Sequence, residues 1–378
     1  ALTVPAGWLV SATGVLQNPE QVLSKTVRDR LARTRKTRDI VHVVTEADRG
    51  AGRATAAASG GEGTLTWRFR AENVRDVVWG TSAEWLWDAT QATTGAAGGD
   101  RKSGAKSGTA GTAAIYSFWR PDGRASAWQE NNRYLRYAIE FLSKYLWPYP
   151  YPVMNALHGP DSCGGMEYPM ATCIGRARDT TGMFGVTIHE TAHMWFPMQV
   201  GSNETAHGWQ DEGLTQFNEA QASRAFFADT NLVHDERDSR NSYLALARSG
   251  LEQPMMRHGD LYPSYFAYAI SSYSKTASLL TALRALLGEE TFDQAYREYG
   301  RRWQFKHPTP YDMWRTFDQV SGRDLWWFWR SWFFEDWRLD QAIAGVAVRG
   351  DSAAITVEDR GLVPMPVRLA VTHADGSV

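Results

Sequence analysis

At Pro121-Asp122-Gly123 the hydrophobic period of this chain changes, and the change decides which elements can form on either side. Upstream, residues 39–47 (DIVHVVTEA), 63–73 (GTLTWRFRAEN) and 76–82 (DVVWGTS) are β-branched or aromatic runs, partly alternating and separated by Gly-rich breaks. A period of two buries one face of a strand and wets the other, so several antiparallel strands are expected there. Downstream, Trp128, Leu135, Ile139, Leu142 and Leu146 recur at helical spacing until Pro148 ends the run. Strand candidates return at 153–159 and 166–174, and mostly helical patterns extend from Phe184 through Phe334, clearest over 272–288. Beyond Asp340 short β-type runs reappear at 343–348, 354–357 and 367–371. These switches divide the chain into parts 1–122, 123–340 and 341–378, the last ending with only a few strands written.

The stretch 95–111, GAAGGDRKSGAKSGTAG, has almost nothing to bury and precedes a strand candidate at 113–119, so it is expected to be a hairpin loop. Its glycines lack the G-x-x-x-x-G-K-[ST] order and no helix pattern follows, which argues against phosphate binding. Forty Lys and Arg against forty-two Asp and Glu provide neither a basic footprint for nucleic acid nor an acidic tail. No stretch approaches the roughly 18 unbroken apolar residues that a spanning helix needs, so no membrane span is expected. The aromatic segment 326–334 is broken by Arg330 and reads as a core-facing helix. The opening ALTVPAGWLV has no basic stretch followed by an apolar one, so any secretion signal is expected to be removed or outside this piece, and the compartment stays open. Two cysteines, Cys163 and Cys173, are too few for a disulfide framework. On one continuous strand at about 3.3 Å per residue their Cα atoms would stand about 30 Å apart, which predicts two free thiols.

The sharpest chemical signal is His189-Glu190-Thr191-Ala192-His193, inside a stretch with helical apolar positions and no breaker before Pro197. On a helix, positions i and i+4 share a face with Cβ atoms about 6 Å apart, so two imidazoles there reach one ion at Zn–N distances of about 2.0–2.1 Å. A catalytic zinc needs a third protein ligand and one open position, and an oxygen ligand keeps the ion Lewis acidic. Glu212 is the candidate: eighteen residues separate it from His193, enough for a turn and a second, antiparallel helix. His207, earlier in the connection, and Asp211, adjoining Glu212 but pointing elsewhere on a helix, are the competing ligands. Glu219 lies two turns beyond Glu212 on the same face and is placed to orient a zinc histidine through its free nitrogen.

These residues, followed by Glu212-Gly213, resemble the gluzincin aminopeptidases of the aminopeptidase N and leukotriene hydrolase family. Gly164-Gly165-Met166-Glu167-Tyr168-Pro169, about twenty residues before the zinc helix, is similar to the G-x-M-E-N strand of that family, with Tyr168 in place of the usual Asn. The resemblance implies that Glu167 binds the free α-amine of a substrate and that Gly164, Gly165 and Met166 line the same edge. The segment from Tyr273 to Leu280 is similar to the family's Y-E-K-G segment, although Ser274 and Thr276 replace its commonest Glu and Gly. Tyr273 thereby inherits stabilisation of the tetrahedral intermediate, Tyr268 falls where some relatives keep a second Tyr lining the substrate site, with core packing as its alternative, and Lys275 is expected in a structural ion pair. The resemblance runs from about residue 3 to the end. It implies an α+β fold in which a thermolysin-like catalytic domain (123–340), a small sheet plus a helical half, is flanked by a partial N-terminal β domain (1–122) and the start of a C-terminal β-sandwich (341–378). The family's segment preceding GWLVSATG, which usually supplies a Gln or Glu for the substrate amine, is not in this sequence.

The expected cofactor is a single zinc ion, which activates a water for attack, with Glu190 as the general base that passes its proton to the leaving amine. The expected partners are peptides with a free N-terminus. A G-x-S-x-G elbow is missing from the sequence and neither cysteine stands in an activating setting, so serine or cysteine hydrolysis is not supported. Three rivals remain: a thermolysin-like endopeptidase without the amine anchor, an epoxide hydrolase of the leukotriene type, and a catalytically silent scaffold. The scaffold reading is opposed by the presence of His189, Glu190, His193 and Glu212 together.

Overall fold

The computed structural model describes residues 1–58, 63–95, 111–177, 179–227 and 236–372. The chain divides into two units, the first made of Ala1–Ser202, Leu214–Asp235 and Gly300–His307, the second of Asn203–Gly213, Glu236–Tyr299 and Pro308–Val378. In chain order the first contains β1 (Leu2–Pro5), β2 (Leu9–Ala12), β3 (Val15–Leu16), α1 (Pro19–Val22), α2 (Lys25–Thr34), β4 (Val41–Val44), β5 (Thr64–Trp67), β6 (Phe69–Arg70), β7 (Trp79–Ser82), β8 (Leu86–Thr93), β9 (Thr112–Trp119), α3 (Trp128–Tyr145), β10 (Val153–His158), β11 (Gly165–Tyr168), β12 (Ala171–Ile174), α4 (Thr180–Ala192) and α5 (Leu214–Phe226).

Six of the strands form one sheet in the order β11-β12-β10-β9-β8-β4. β9, β10 and β12 run parallel, since α3 carries the chain back between β9 and β10, whereas β8 and β4 on one side and β11 on the other are antiparallel to their neighbours. β1 with β5, β2 with β7 and β3 with β6 make three small antiparallel pairs. The expected hairpin loop 95–111 has antiparallel strands on both sides, Thr93 opposite Thr112, while residues 96–110 of it lie outside the described residues. α3 buries Trp128, Leu135, Ile139 and Leu142, the face its sequence period marks. Its polar residues tie the sheet to α4: Ser117 Oγ donates to Asn131 Oδ1 (2.7 Å), Asn131 Nδ2 to Thr187 Oγ1 (2.9 Å), and the Thr187 hydroxyl to the Met183 carbonyl (2.7 Å). Each buried group in that chain has a partner, which fixes α4 against the sheet.

Two expectations fail together at β11 and β12. The run 166–174 is not one strand but a hairpin, because Pro169 offers no N–H to a ladder and Met170 adopts a left-handed φ of 60°. The hairpin brings Cys163 and Cys173, ten residues apart, to a Cα separation of 6.4 Å, and they form a disulfide rather than two free thiols.

The second unit holds α6 (Glu236–Ser249), α7 (Tyr265–Ala269), α8 (Thr276–Leu287), most of α9 (Glu289–Trp303), α10 (Pro310–Ser321), α11 (Trp326–Trp329) and the hairpin of β13 (Gln341–Arg349) and β14 (Ser352–Asp359). Three π-helical turns interrupt its helices, at Trp209–Gly213, Ile270–Lys275 and Arg330–Phe334. The segment 326–334 does face the core: Phe328, Trp329, Trp332 and Phe333 are buried, with Trp209 and Trp329 ring centroids 6.2 and 5.8 Å from that of Trp314. Residues 367–371, expected as a strand, have no regular structure; their exposed apolar residues find no partner strand among the described residues.

Candidate metal centre

α4 starts where Asp179 accepts the Gly182 N–H at 2.8 Å, capping the first turn. From Thr187 on every residue of it is buried, so polar side chains there persist only with partners. His189 and His193, one turn apart on the same face, hold their ring centroids 4.8 Å from each other. His193 stands just past the last helical residue, its backbone N–H still donating to the His189 carbonyl.

Each imidazole is anchored through Nδ1. His189 Nδ1 donates to Glu219 Oε2 at 3.1 Å, and Gln216 Nε2 donates to the same oxygen at 2.8 Å. His193 Nδ1 donates to the Phe196 carbonyl at 3.0 Å, with Thr215 Oγ1 at 3.1 Å; the Thr215 hydroxyl itself donates to that carbonyl at 3.0 Å. With Nδ1 carrying the proton in both rings, each Nε2 keeps its lone pair for an ion, the tautomer a zinc histidine requires. The expected contact of Glu219 with a histidine is therefore present. Thr215, Gln216 and the Phe196 carbonyl were not singled out in the sequence; Thr215 was legible in principle, three residues after Glu212 and four before Glu219 on one helical face.

Glu190 faces the outermost strand. A Cβ built on Gly165 would fall 2.1 Å from Glu190 Oε1, so the glycine lets strand and carboxylate meet. Glu167, two residues along the same face of β11, is buried, and its Oε1 lies 3.9 Å from His193 Nδ1. Glu167, Glu190 and His193 bring ligand atoms within 4.8 Å of one another. Met166 alternates to the opposite face and is exposed, and Gly164 precedes the strand with φ +61°.

Within the second unit, Glu212 and Tyr273 sit on separate π-helical turns. A Cβ on Gly213 would come within 2.3 Å of Thr276 Cβ, so a glycine after Glu212 is what lets these turns pack. Burial, and then the Glu212 carboxylate that accepts its hydrogen bond, push the Tyr273 hydroxyl far above the ordinary phenol range. Burial first, with Glu212 and Asp211 adding, also raises Tyr268. Lys275 makes the expected ion pair: fully buried, its Nζ donates to Glu252 Oε1 at 2.9 Å. In the first unit, the start of α5 holds the His193 ring through Thr215.

The peptidase family M1 domain matches residues 131–332. Aminopeptidase M1-D of Oryza sativa subsp. japonica is 25% identical over 253 residues, 60% of this chain and 28% of that protein. Aminopeptidase N of Lactococcus lactis subsp. lactis is 27% identical over 218 residues, 51% of this chain and 25% of that one. Among solved structures, the M1 zinc metallopeptidase from Deinococcus radiodurans superposes with a TM-score of 0.56 at 17% identity, covering 88% of this chain and 61% of that one, a likeness of fold. The chain thus spans under a third of the length of these curated relatives.

Proposed function

The chain belongs to peptidase family M1, and from that premise we propose that it is a zinc-dependent aminopeptidase, holding one zinc ion through His189, His193 and Glu212 and removing single residues from peptides with a free N-terminus. The observation that carries the reading is the pair of imidazoles whose Nδ1 atoms are both engaged, beside the buried Glu190 carboxylate. The donor set fits zinc by its chemistry, two neutral imidazole nitrogens and one carboxylate. When bound, zinc supplies a Lewis acid that polarises the scissile carbonyl and makes the attacking water more acidic.

The protein's own groups do the rest. Glu190, next to a ligand but directed at the strand edge, takes the water proton and delivers it to the leaving amine. Tyr273, whose hydroxyl stays protonated at any working pH, donates to the oxygen that gains charge in the transition state. Glu167 pairs with the protonated α-amine of the substrate and so places the first peptide bond, and not a later one, beside Glu190. The aminopeptidases named above support this reading by family.

The test compares amino-acid amides bearing a free amine with their N-acetylated counterparts, on zinc-loaded protein. Cleavage of the free amines alone is expected. Equal cleavage of both would make the chain an endopeptidase with the same zinc chemistry, and a protein that takes up no zinc would be a scaffold.

A further inference from the structure

Glu167 and Gly165 stand on the outermost strand of the sheet. β11 is four residues long and, among the described residues, pairs with β12 alone, in the register Gly165↔Ile174, Met166↔Cys173, Glu167↔Thr172 and Tyr168↔Ala171. A short strand with one neighbour is held by few ladder hydrogen bonds, so its ends open first. The far end turns through Pro169 and Met170. The near end is entered from the 3-10 turn Asp161–Cys163 through Gly164, a conformation open to glycine and weakly restraining.

That near end is where the disulfide lies. Cys173 is the register partner of Met166, and Cys163 precedes Gly165 by two residues, so the bond closes the hairpin beside the glycine that meets Glu190. The backbone packs around it: Gly175 N–H donates to the Gly164 carbonyl at 2.8 Å and Gly159 N–H to the Ile174 carbonyl at 3.0 Å. A Cβ on Gly159 would fall 2.2 Å from Cys173 Sγ, so the end of β10 rests directly on the sulfur. By contrast, the anchors of the two imidazoles, Glu219, Thr215 and the Phe196 carbonyl, lie off the hairpin.

We propose that the Cys163–Cys173 disulfide is a positioning element that clamps the outer strand so that Glu167 and Gly165 face α4, and that its reduction loosens this edge while leaving the metal ligands in place. The catalytic half of the inference rests on the aminopeptidase reading. For the reduction we name a water-soluble trialkylphosphine. The phosphorus attacks one sulfur and expels the other as a thiolate, which takes up a proton. Water then releases the first sulfur as a thiol, and the phosphine leaves as its oxide; the disulfide gains two electrons and two protons.

The experiment uses the full zinc-loaded chain before and after reduction, with thiol titration verifying that both sulfurs are free. Backbone amide exchange over Gly165–Tyr168 is expected to speed up on the order of tenfold or more. KM for a free amino-acid amide is expected to rise on the order of tenfold with kcat within about twofold, zinc content unchanged, and reoxidation restoring both. A Cys163→Ser/Cys173→Ser variant is expected to show the reduced behaviour without reagent and no response to it. Unchanged exchange and unchanged KM after verified reduction overturn the proposal, and so does loss of zinc on reduction. If no amino-acid amide is hydrolysed in either redox state, the aminopeptidase reading falls and the KM half with it, and the exchange rates alone decide the clamp.

Discussion

Glu190 and Glu219 are carboxylates close to the same pair of imidazoles, yet their surroundings suit them to opposite tasks. Glu219 receives hydrogen bonds from His189 Nδ1 and Gln216, so it is committed to orienting a ring. Glu190 is directed toward Gly165, and in the proposed mechanism it is the group that moves protons. Glu190→Gln keeps size and burial but removes the base, so turnover is expected to fall by about 10²–10⁴ with zinc content unchanged, measured by steady-state kinetics alongside elemental analysis. Thr215→Val keeps the volume and deletes the hydroxyl beside His193 Nδ1. Zinc affinity in a competition titration with a chromophoric chelator is expected to weaken by about 10–100-fold. An affinity equal to that of the unaltered chain would assign Thr215 to packing alone.

At the scale of elements, two glycines show how tightly strand, helix and turn are fitted. At Gly165 an added Cβ meets the far end of a flexible side chain, so Gly165→Ala moves Glu190 and not the backbone. The expected result is a folded protein of nearly unchanged Tm with turnover reduced on the order of tenfold or more. At Gly213 the added Cβ meets Thr276 Cβ and the Ser272 carbonyl, at 2.3 and 2.5 Å, with no easy retreat. Gly213→Ala is expected to cost about 1–3 kcal/mol of stability, read by denaturant unfolding. Elements with a strong period were legible in the sequence: α3 occupies the span its apolar positions mark, and β9 and β10 follow their apolar runs. α2 was not, because Val27 is its one fully buried apolar residue and the rest of its surface is largely charged. The β11–β12 hairpin was missed although Pro169 inside the run signalled a break, and with it the disulfide. The His189, Glu190 and His193 cluster was legible since its spacing is local. Of the partners of those rings, Glu219 was legible from its helical spacing to Glu212, whereas the Phe196 carbonyl comes from the chain beyond α4 and no local pattern announces it.

For the molecule as a whole, a buried ion pair and a buried histidine set how stability responds to change. Lys275 and Glu252 are a buried ion pair with Tyr243 against the ammonium at 5.6 Å. Removing one partner leaves a charge with no water and no counter-ion, so Lys275→Met is expected to cost about 3–5 kcal/mol. Replacing both partners, as in Lys275→Met with Glu252→Leu, is expected to cost much less; a double variant as unstable as the single one would show that shape and not charge is at stake. His158, at the end of β10, is pushed down to about 4 by burial and then by the neighbouring Arg120 guanidinium. Its folded pKa lies below its unfolded value near 6.5, so the unfolded chain binds the extra proton first. This contribution is fully present above about pH 6.5 and is lost as pH falls through about 4. Unfolding titrations from pH 7 to 4 are expected to show a fall in stability that is smaller in His158→Gln.

The widened turns at Trp209–Gly213 and Ile270–Lys275 have a bearing on how such a chain tolerates insertions and deletions. A π turn is a helix carrying one surplus residue, so it absorbs a one-residue length difference locally and resets the angular phase of everything after it. Excising one residue between Trp209 and Gly213 would let the segment relax to ordinary α geometry, at about 100° per residue. The carboxylate would then swing to a different bearing relative to α5 while the composition of the helix stayed almost the same. If that acid is the zinc ligand proposed above, chain length at the turn matters to the chemistry as much as the identity of the acid.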